Sequence, residues 1–315
     1  MRPRYFYHVY GIALSVDEPL QSLPRIDGTP DPAVTLSFVE PAYFRGLVPP
    51  ERIVRPEGDW IAHAFLPDGR FYLDAPTVVE AVLSADGRSV ACARRDAADA
   101  RAVEANLLNI VIASALTLAG EEPLHGTAVD LGGHAIGLLG HSGAGKSSLA
   151  AFLVSTGARL LTDDVLRVEF VDGQAIAYPG PHRLKLFDEP AKRFLPNSLA
   201  DGHFNTLSGK MMIPPPGPAI IGRGTPLAAL YFLGELPGLA EPTQPSAIPL
   251  SGEQVLRVLL SSAMDDRNAS PARLARQLRF AGQLAALVPI RALRYPRRFD
   301  LMDAVAQEIR RTLTS

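Results

Sequence analysis

Gly140-His141-Ser142-Gly143-Ala144-Gly145-Lys146-Ser147 meets the pattern G-x-x-x-x-G-K-[ST] at every fixed position, the signature of a loop that cradles phosphate. Its glycines permit a tight turn that brings several backbone N–H groups to one point. The positive end of the following helix adds to that anion site. Gly140, Ser142, Gly143, Ala144, Gly145, Lys146, Ser147 and Ser148 are therefore expected to bind a nucleotide triphosphate. Lys146 would reach its β- and γ-phosphates, and the Ser147 hydroxyl would sit on Mg²⁺.

Outward from the loop, the flanks agree with it. His134-Ala135-Ile136-Gly137-Leu138-Leu139 is a short apolar run that reads as a strand. Ser148-Leu149-Ala150-Ala151-Phe152-Leu153-Val154 reads as a helix, with Gly157 as its stop. Upstream, Thr127-Ala128-Val129-Asp130-Leu131 and the run from His134 are joined by Gly132-Gly133, a hairpin signal. The strand entering the loop thus has an antiparallel partner just before it, unlike the parallel β-α-β entry of many phosphate-loop proteins. The chain has 26 glycines and four lysines, Lys146, Lys185, Lys192 and Lys210. At those frequencies the full motif arises by chance in roughly a few chains per thousand.

The 315 residues are 47% hydrophobic and 20% charged, with net charge −2. This is a globular composition, large enough for two domains. The near balance of charge argues against a dedicated nucleic-acid binder. The single cysteine, Cys92, excludes an internal disulfide and a multi-cysteine metal site, and reads as a small buried apolar residue. Residues 1–14 hold arginines, tyrosines and a histidine, unlike a secretory signal. The apolar run over 107–119 contains Asn109, Ser114 and Thr117 and is short for a bilayer span, so it reads as a buried helix. A cytoplasmic protein without a membrane partner is expected.

Residues 1–95 read as a small β-rich or mixed domain. Strands are expected over 34–38, 60–65, 70–73 and 89–93, with turns at Pro67-Asp68-Gly69 and over 84–88. Residues 96–120 read as a connecting helix stopped by Gly120. Residues 121–315 read as the nucleotide-binding domain. In it, 158–161 is a strand ending in Thr162-Asp163-Asp164, and 165–171 and 174–178 form a hairpin across Asp172-Gly173. The proline-rich stretches 212–218 and 236–249 are expected as surface loops. A helix (271–287), a strand (290–295) and a helix (301–313) end the chain. Leu274, Leu278, Ala281, Ala285 and Val288 fall on one helical face and are expected in the core. Asp300 is expected to cap the last helix.

A phosphate loop needs an acidic partner for Mg²⁺, usually at the end of a neighbouring strand. Asp163 and Asp164 stand at such a point. Two carboxylates there offer two roles: one can hold the metal, and the other can accept or orient a proton from an attacking hydroxyl. His125 opens the hairpin into the loop and could be structural or lie near the phosphates. Lys185 and Lys210 follow the aspartates, and either could stabilise charge on a transferred phosphoryl group or simply be solvated.

Leu124-His125-Gly126-Thr127-Ala128-Val129, the glycine loop, and Gly157-Ala158-Arg159-Leu160-Leu161-Thr162-Asp163-Asp164 together resemble the catalytic domain of HPr kinase/phosphorylase. They are closer still to the HPr kinase-like serine kinases found beside peptide-modification genes, including lasso-peptide tailoring kinases. Those relatives also carry a stretch like Pro179-Gly180-Pro181-His182-Arg183-Leu184-Lys185-Leu186 and a lysine near the position of Lys210. The resemblance is good over 121–215 and loose over 226–315. It implies an α/β fold with a P-loop kinase core like that of HPr kinase and phosphoenolpyruvate carboxykinase, preceded by the small N-terminal domain. It implies ATP and Mg²⁺, and a serine hydroxyl of a peptide or small protein as acceptor. By resemblance Asp163 is the general base, Asp164 and Ser147 hold Mg²⁺, His125 sits beside the transferred phosphate, and Lys185 and Lys210 contact substrate or phosphate. The glycine-rich signature that follows the aspartate pair in bifunctional members has no counterpart here. Phosphorylase activity and HPr as acceptor are therefore not carried over. A small-molecule kinase and a non-catalytic nucleotide sensor remain the rival readings, and self-association stays open.

Overall fold

Tyr10 and Gly11 both stand at positive φ, 52° and 75°, the backbone that a tight two-residue hairpin turn requires. They join β1 (Tyr5–Val9) to β2 (Ile12–Val16). In this computed structural model, which describes residues 3–57, 59–95, 98–206, 208–235 and 241–313, that hairpin begins a seven-stranded sheet. The other strands are β3 (Val34–Phe38), β4 (Ala62–Phe65), β5 (Phe71–Ala75), β6 (Val79–Leu83) and β7 (Ser89–Arg94). Their order is β1-β2-β3-β7-β6-β5-β4. The sheet belongs to a compact unit made of Met1–Glu121 and Met264–Ala269.

The same unit holds the apolar helix. Asp99 caps α1 (Ala100–Asn106) by accepting from the backbone N–H groups of Arg101 and Ala102. A π-helical turn over Leu107–Val111 leads into α2 (Ile112–Leu118). The helix over Ala100–Leu118 is long and apolar enough to cross a membrane, but it is mostly buried inside the protein, as a core helix is. The sequence expectation of a connecting helix over 96–120 began at residues 96 and 97, which lie outside the described residues.

The second unit comprises Glu122–Ala263 and Ser270–Ser315. Its sheet is mixed. The strands β8 (Leu124–Asp130) and β9 (Ala135–Leu139) form the expected hairpin, with Gly132 and Gly133 both at positive φ. Every residue of β9 is buried because helices cover both faces. Ile136 and Leu138 point into one core, and Ala135 and Leu139 into the other. The helix α3 (Lys146–Ser155) follows the glycine loop and packs in the first core. Gly157, at φ 107°, ends it.

Next come β10 (Arg159–Thr162), β11 (Val165–Leu166), β12 (Val168–Val171), β13 (Gln174–Ala177), β14 (Leu184–Leu186), α4 (Asp188–Phe194), β15 (His203–Asn205) and β16 (Lys210–Ile213). Then follow β17 (Thr225–Phe232), β18 (Ser246–Pro249), α5 (Glu253–Ser261), α6 (Pro271–Leu287), β19 (Ile290–Arg294) and α7 (Met302–Leu313). The main path of the large sheet is β10-β8-β9-β17-β13-β12, with β19 also on β17. Both β9 and β19 run parallel to β17. Residues of α3, α4 and α7 share one core, and residues of α5 and α6 the other. The fold is thus mixed α/β, with a β-rich first unit.

Four sequence expectations need correction. Met212 and Ile213 belong to β16 and are buried, not loop residues. The stretch expected as a loop over 236–249 contains the strand β18, which pairs with β19; residues 236–240 of it lie outside the described residues. On α6, Leu274 and Leu278 are 49% and 43% exposed, and Ala285 is exposed. The buried face instead runs through Arg273, Ala281 and Leu284. Arg273 turns inward because buried Glu122 accepts from it and from Arg276. Asp300 lies in a 3₁₀ turn (Phe299–Leu301) before α7 and accepts from Arg298, so it is no cap.

Candidate phosphoryl-transfer site

The glycine loop leaves the sheet at the C-terminal end of β9 and runs straight into α3. Gly140, Gly143 and Gly145 stand at φ 141°, 83° and 91°. Other residue types carry a Cβ that this backbone rarely accommodates, which is why glycine occupies these points. The Lys146 ammonium is buried. It donates to the carbonyls of Gly140 at 2.6 Å and His141 at 3.1 Å, and meets His125 Nε2 at 3.2 Å. Burial lowers its pKa, and nearby Asp163 and Asp164 pull the other way.

The aspartates arise from a break in pairing along β8. The upper half of β8 pairs with β10, ending at Thr162↔Ala128, and the lower half pairs with β11, starting at Val165↔His125. The two residues in the gap are Asp163 and Asp164. Asp163 is 5% exposed. Its Oδ1 accepts from the Thr127 hydroxyl at 2.7 Å and the Ser147 hydroxyl at 3.1 Å, and its Oδ2 from the Lys185 backbone N–H at 2.9 Å. Asp164 stands at φ 71° and its side chain lines the pocket. There it pairs with Lys185 Nζ at 2.5 Å. The resemblance gave Asp164 and Ser147 as Mg²⁺ ligands; in the structure the Ser147 hydroxyl donates to Asp163, while Asp164 lines the same pocket as Ser147.

The electrostatics differ accordingly. Burial, reinforced by the charge of Asp164, raises the Asp163 carboxyl above its usual range. Burial also opposes charge on Asp164, but Lys185 and then His125 outweigh it, holding that carboxyl well below the usual range. Burial, then the Lys146 ammonium, keeps the His125 imidazole below its ordinary value, which favours the neutral ring.

These groups meet in one pocket of about 80 Å³. His125, residues 142–148, Asp164, Lys185 and Lys210 all line it. Asp163 lies behind it, against Ser147. Of the sequence-derived candidates, Gly140 also stays behind the pocket, where its carbonyl accepts from Lys146. Two participants escaped sequence reasoning. Thr127 holds Asp163, and its place in the string 124–129 was the available signal. Phe187 lines the pocket at 53% exposure, with the Lys210 ammonium 4.9 Å over its ring; an exposed aromatic beside Lys185 was the signal.

The donor set fits Mg²⁺. A hydroxyl and a carboxylate, Ser147 and Asp163, are hard oxygen ligands 3.1 Å apart. Mg²⁺ is commonly held by one or two carboxylates and completed by substrate phosphates and water. Among the described residues no group of three or more His, Cys, Asp or Glu converges as a dedicated metal cage would.

Residues 116–188 match the family model described as the HPr Serine kinase C-terminal domain. This segment is HPr kinase-like. The match spans β8, the glycine loop and the aspartate corner. HPr kinase/phosphorylase from Clostridium beijerinckii is 48% identical over 59 residues, 19% of this chain and 20% of that protein. The protein of the same name from Limosilactobacillus reuteri is 41% identical over 68 residues, 22% of this chain and 21% of that protein. The chain therefore spans about a fifth of the length of the curated relatives it matches. Among solved structures, the Hpr(Ser) kinase/phosphatase of Coxiella burnetii aligns with 60% of this chain and 95% of its own, with a TM-score of 0.33 and 12% identity.

Proposed function

We propose that this protein is an ATP- and Mg²⁺-dependent kinase that transfers the γ-phosphoryl group to a serine hydroxyl of a peptide or small protein. A ribosomally made precursor peptide, of the kind lasso-peptide kinases modify, is the acceptor class the sequence resemblance favours. The observation that carries this reading is the convergence of Lys146, Asp164 and Lys185 on one pocket, with Asp163 and Ser147 paired beside it.

In this reading Ser147 and Asp163 would hold Mg²⁺, which would supply positive charge to the phosphates when bound. Lys146 leaves the loop carbonyls for the β- and γ-oxygens. Asp164 accepts a hydrogen bond from the acceptor hydroxyl and orients it towards phosphorus, while Lys185 and Lys210 balance charge on the transferred group. The new bond joins the serine oxygen to phosphorus, the bond to the β–γ bridging oxygen breaks, and ADP leaves. The serine proton passes through Asp164 to solvent. The low pKa of Asp164 makes it a weak base. A loose transition state asks for positioning more than base strength, so an orienting carboxylate suffices. Asp163 has the higher pKa, but it lies behind the pocket against Ser147, whereas Asp164 lines the pocket where an acceptor hydroxyl would enter.

The test is mass spectrometry of the peptide encoded beside this gene, or of a serine-containing peptide library, after incubation with ATP and Mg²⁺. One added phosphate per peptide, mapped to serine, supports the proposal. Phosphate found only on a metabolite would favour the small-molecule reading, and binding without transfer the sensor reading.

A further inference from the structure

The small sheet β14-β16-β15 contributes Lys185 and Lys210 to the reaction pocket. Its strand β14 alternates. Leu184 and Leu186 are buried in the core shared with α3, so Lys185 faces the other way, into the pocket. Phe187 prolongs the strand, with φ −65° and ψ 159°. Side chains two apart on extended backbone share a face, so Phe187 stands beside Lys185, about 6.5 Å further along the chain. The pairing Leu186↔Met211 sets the next residues, Phe187 and Lys210, opposite one another. The Lys210 ammonium lies 4.9 Å over the Phe187 ring.

The core does not use this ring. It is 53% exposed even beneath Lys210. It is the one exposed large apolar side chain among the described residues of the lining. Its neighbours there, Lys146, Ser147, Asp164 and Lys185, are suited to phosphate and metal. A triphosphate is recognised by cations and N–H donors, and a hydrocarbon ring adds nothing to that. An apolar surface held open in a polar pocket gains free energy when an apolar group covers it. The chain that flanks an acceptor hydroxyl can bring such a group. In an extended peptide, a side chain two residues from a serine at Asp164 lies about 6.5 Å away on the same side. That is the spacing from Lys185, the partner of Asp164, to Phe187.

We propose that Phe187 selects the acceptor, by receiving an apolar side chain that lies within about two residues of the phosphorylated serine. The inference rests on the serine-kinase reading above and adds the class of peptide that the site takes. The ring is a specificity wall and takes no part in phosphoryl transfer. Lys210 suits this arrangement: with phosphate in the pocket its ammonium gains an anionic partner, and the ring face it covers is released to the peptide.

The test is steady-state phosphorylation of paired peptides by the full-length protein with ATP and Mg²⁺. The two peptides share one serine and differ only in the positions flanking it, which carry leucine in one and the similarly sized asparagine in the other. The proposal expects kcat/KM to be at least ~10-fold higher for the leucine peptide. In Phe187→Ala that ratio should fall to about 2 or less, and in Phe187→Tyr, which keeps the ring, most of it should remain. ATP affinity, measured calorimetrically on the same preparations, should stay within ~2-fold of wild type in both variants, which also certifies their fold. A wild type without the preference, or a preference that survives in Phe187→Ala, overturns the proposal and leaves the kinase reading intact, because serine is phosphorylated in either case. An ATP affinity that falls ~10-fold in Phe187→Ala but not in Phe187→Tyr assigns the ring to the nucleotide and overturns it as well. Phosphorylation of neither peptide by a chain that binds ATP removes the serine-kinase reading and this one with it.

Discussion

Asp163 and Asp164 are adjacent in sequence and opposite in environment, one enclosed by three donors and the other salt-bridged at the pocket. Exchanging each carboxylate for an amide should separate their tasks. Asp163→Asn is expected to raise the Mg²⁺ concentration needed for half-maximal transfer by ~10-fold, because a neutral amide is a poorer ligand for a hard dication. Titrating the rate with Mg²⁺ measures this, and an unchanged requirement would take Asp163 off the metal. His125 gives a pH signature. Its pKa is lowered in the folded chain, so the folded state binds this proton less readily than the unfolded state. Its contribution is whole above the unfolded value of about 6.5 and is lost as pH falls below it. Denaturant titrations at about pH 7 and about pH 5.5 should show a smaller acid loss of stability in His125→Gln than in the wild type. At this scale sequence identified the groups but not their orientation. Nothing in Thr-Asp-Asp announces that Asp164 adopts φ 71° or that the Ser147 hydroxyl meets Asp163.

The hairpin into the glycine loop was legible because paired glycines and a short apolar run leave few alternatives. The strand β17 was not. It is the central strand between β9 and β13, yet Thr225-Pro226-Leu227-Ala228-Ala229-Leu230-Tyr231-Phe232 has neither alternation nor β-branched residues beyond Thr225. A strand covered on both faces needs no alternation. Close packing against it yields a prediction. A Cβ on Gly137 of β9 would lie 2.5 Å from Leu230 Cδ2 and 2.9 Å from Leu166 Cδ2. Gly137→Ala should cost ~1–3 kcal/mol of unfolding free energy through overpacking. The helix α6 misled because its leucines match helical periodicity while its buried face is anchored by charge. Glu122 is buried and receives Arg273, 3% exposed, and Arg276. Glu122→Ala strands a buried guanidinium and should destabilise by ~3–5 kcal/mol. Denaturant titration checks both variants, and a change under about 1 kcal/mol at Glu122 would show that the cluster is solvated.

For the whole molecule, composition and motif gave a mixed α/β protein with a phosphate loop near its middle. The strands of the first unit were only partly legible: β1 and β2 carry no clear alternation or turn pair to mark them, and the wholly buried β6, though followed by the expected turn over 84–88, has no alternation. Nor could sequence show that residues 264–269, far downstream, return to the first unit. The functional account rests on the glycine loop and the aspartate corner working as one centre. The measurement that bears on it most directly is the initial rate of phosphoserine formation from ATP and Mg²⁺ in wild type and Asp164→Asn, with ATP affinity determined on the same preparations. The account predicts a rate at least ~10²-fold lower in the variant with affinity nearly unchanged. Equal rates in the two proteins would contradict it.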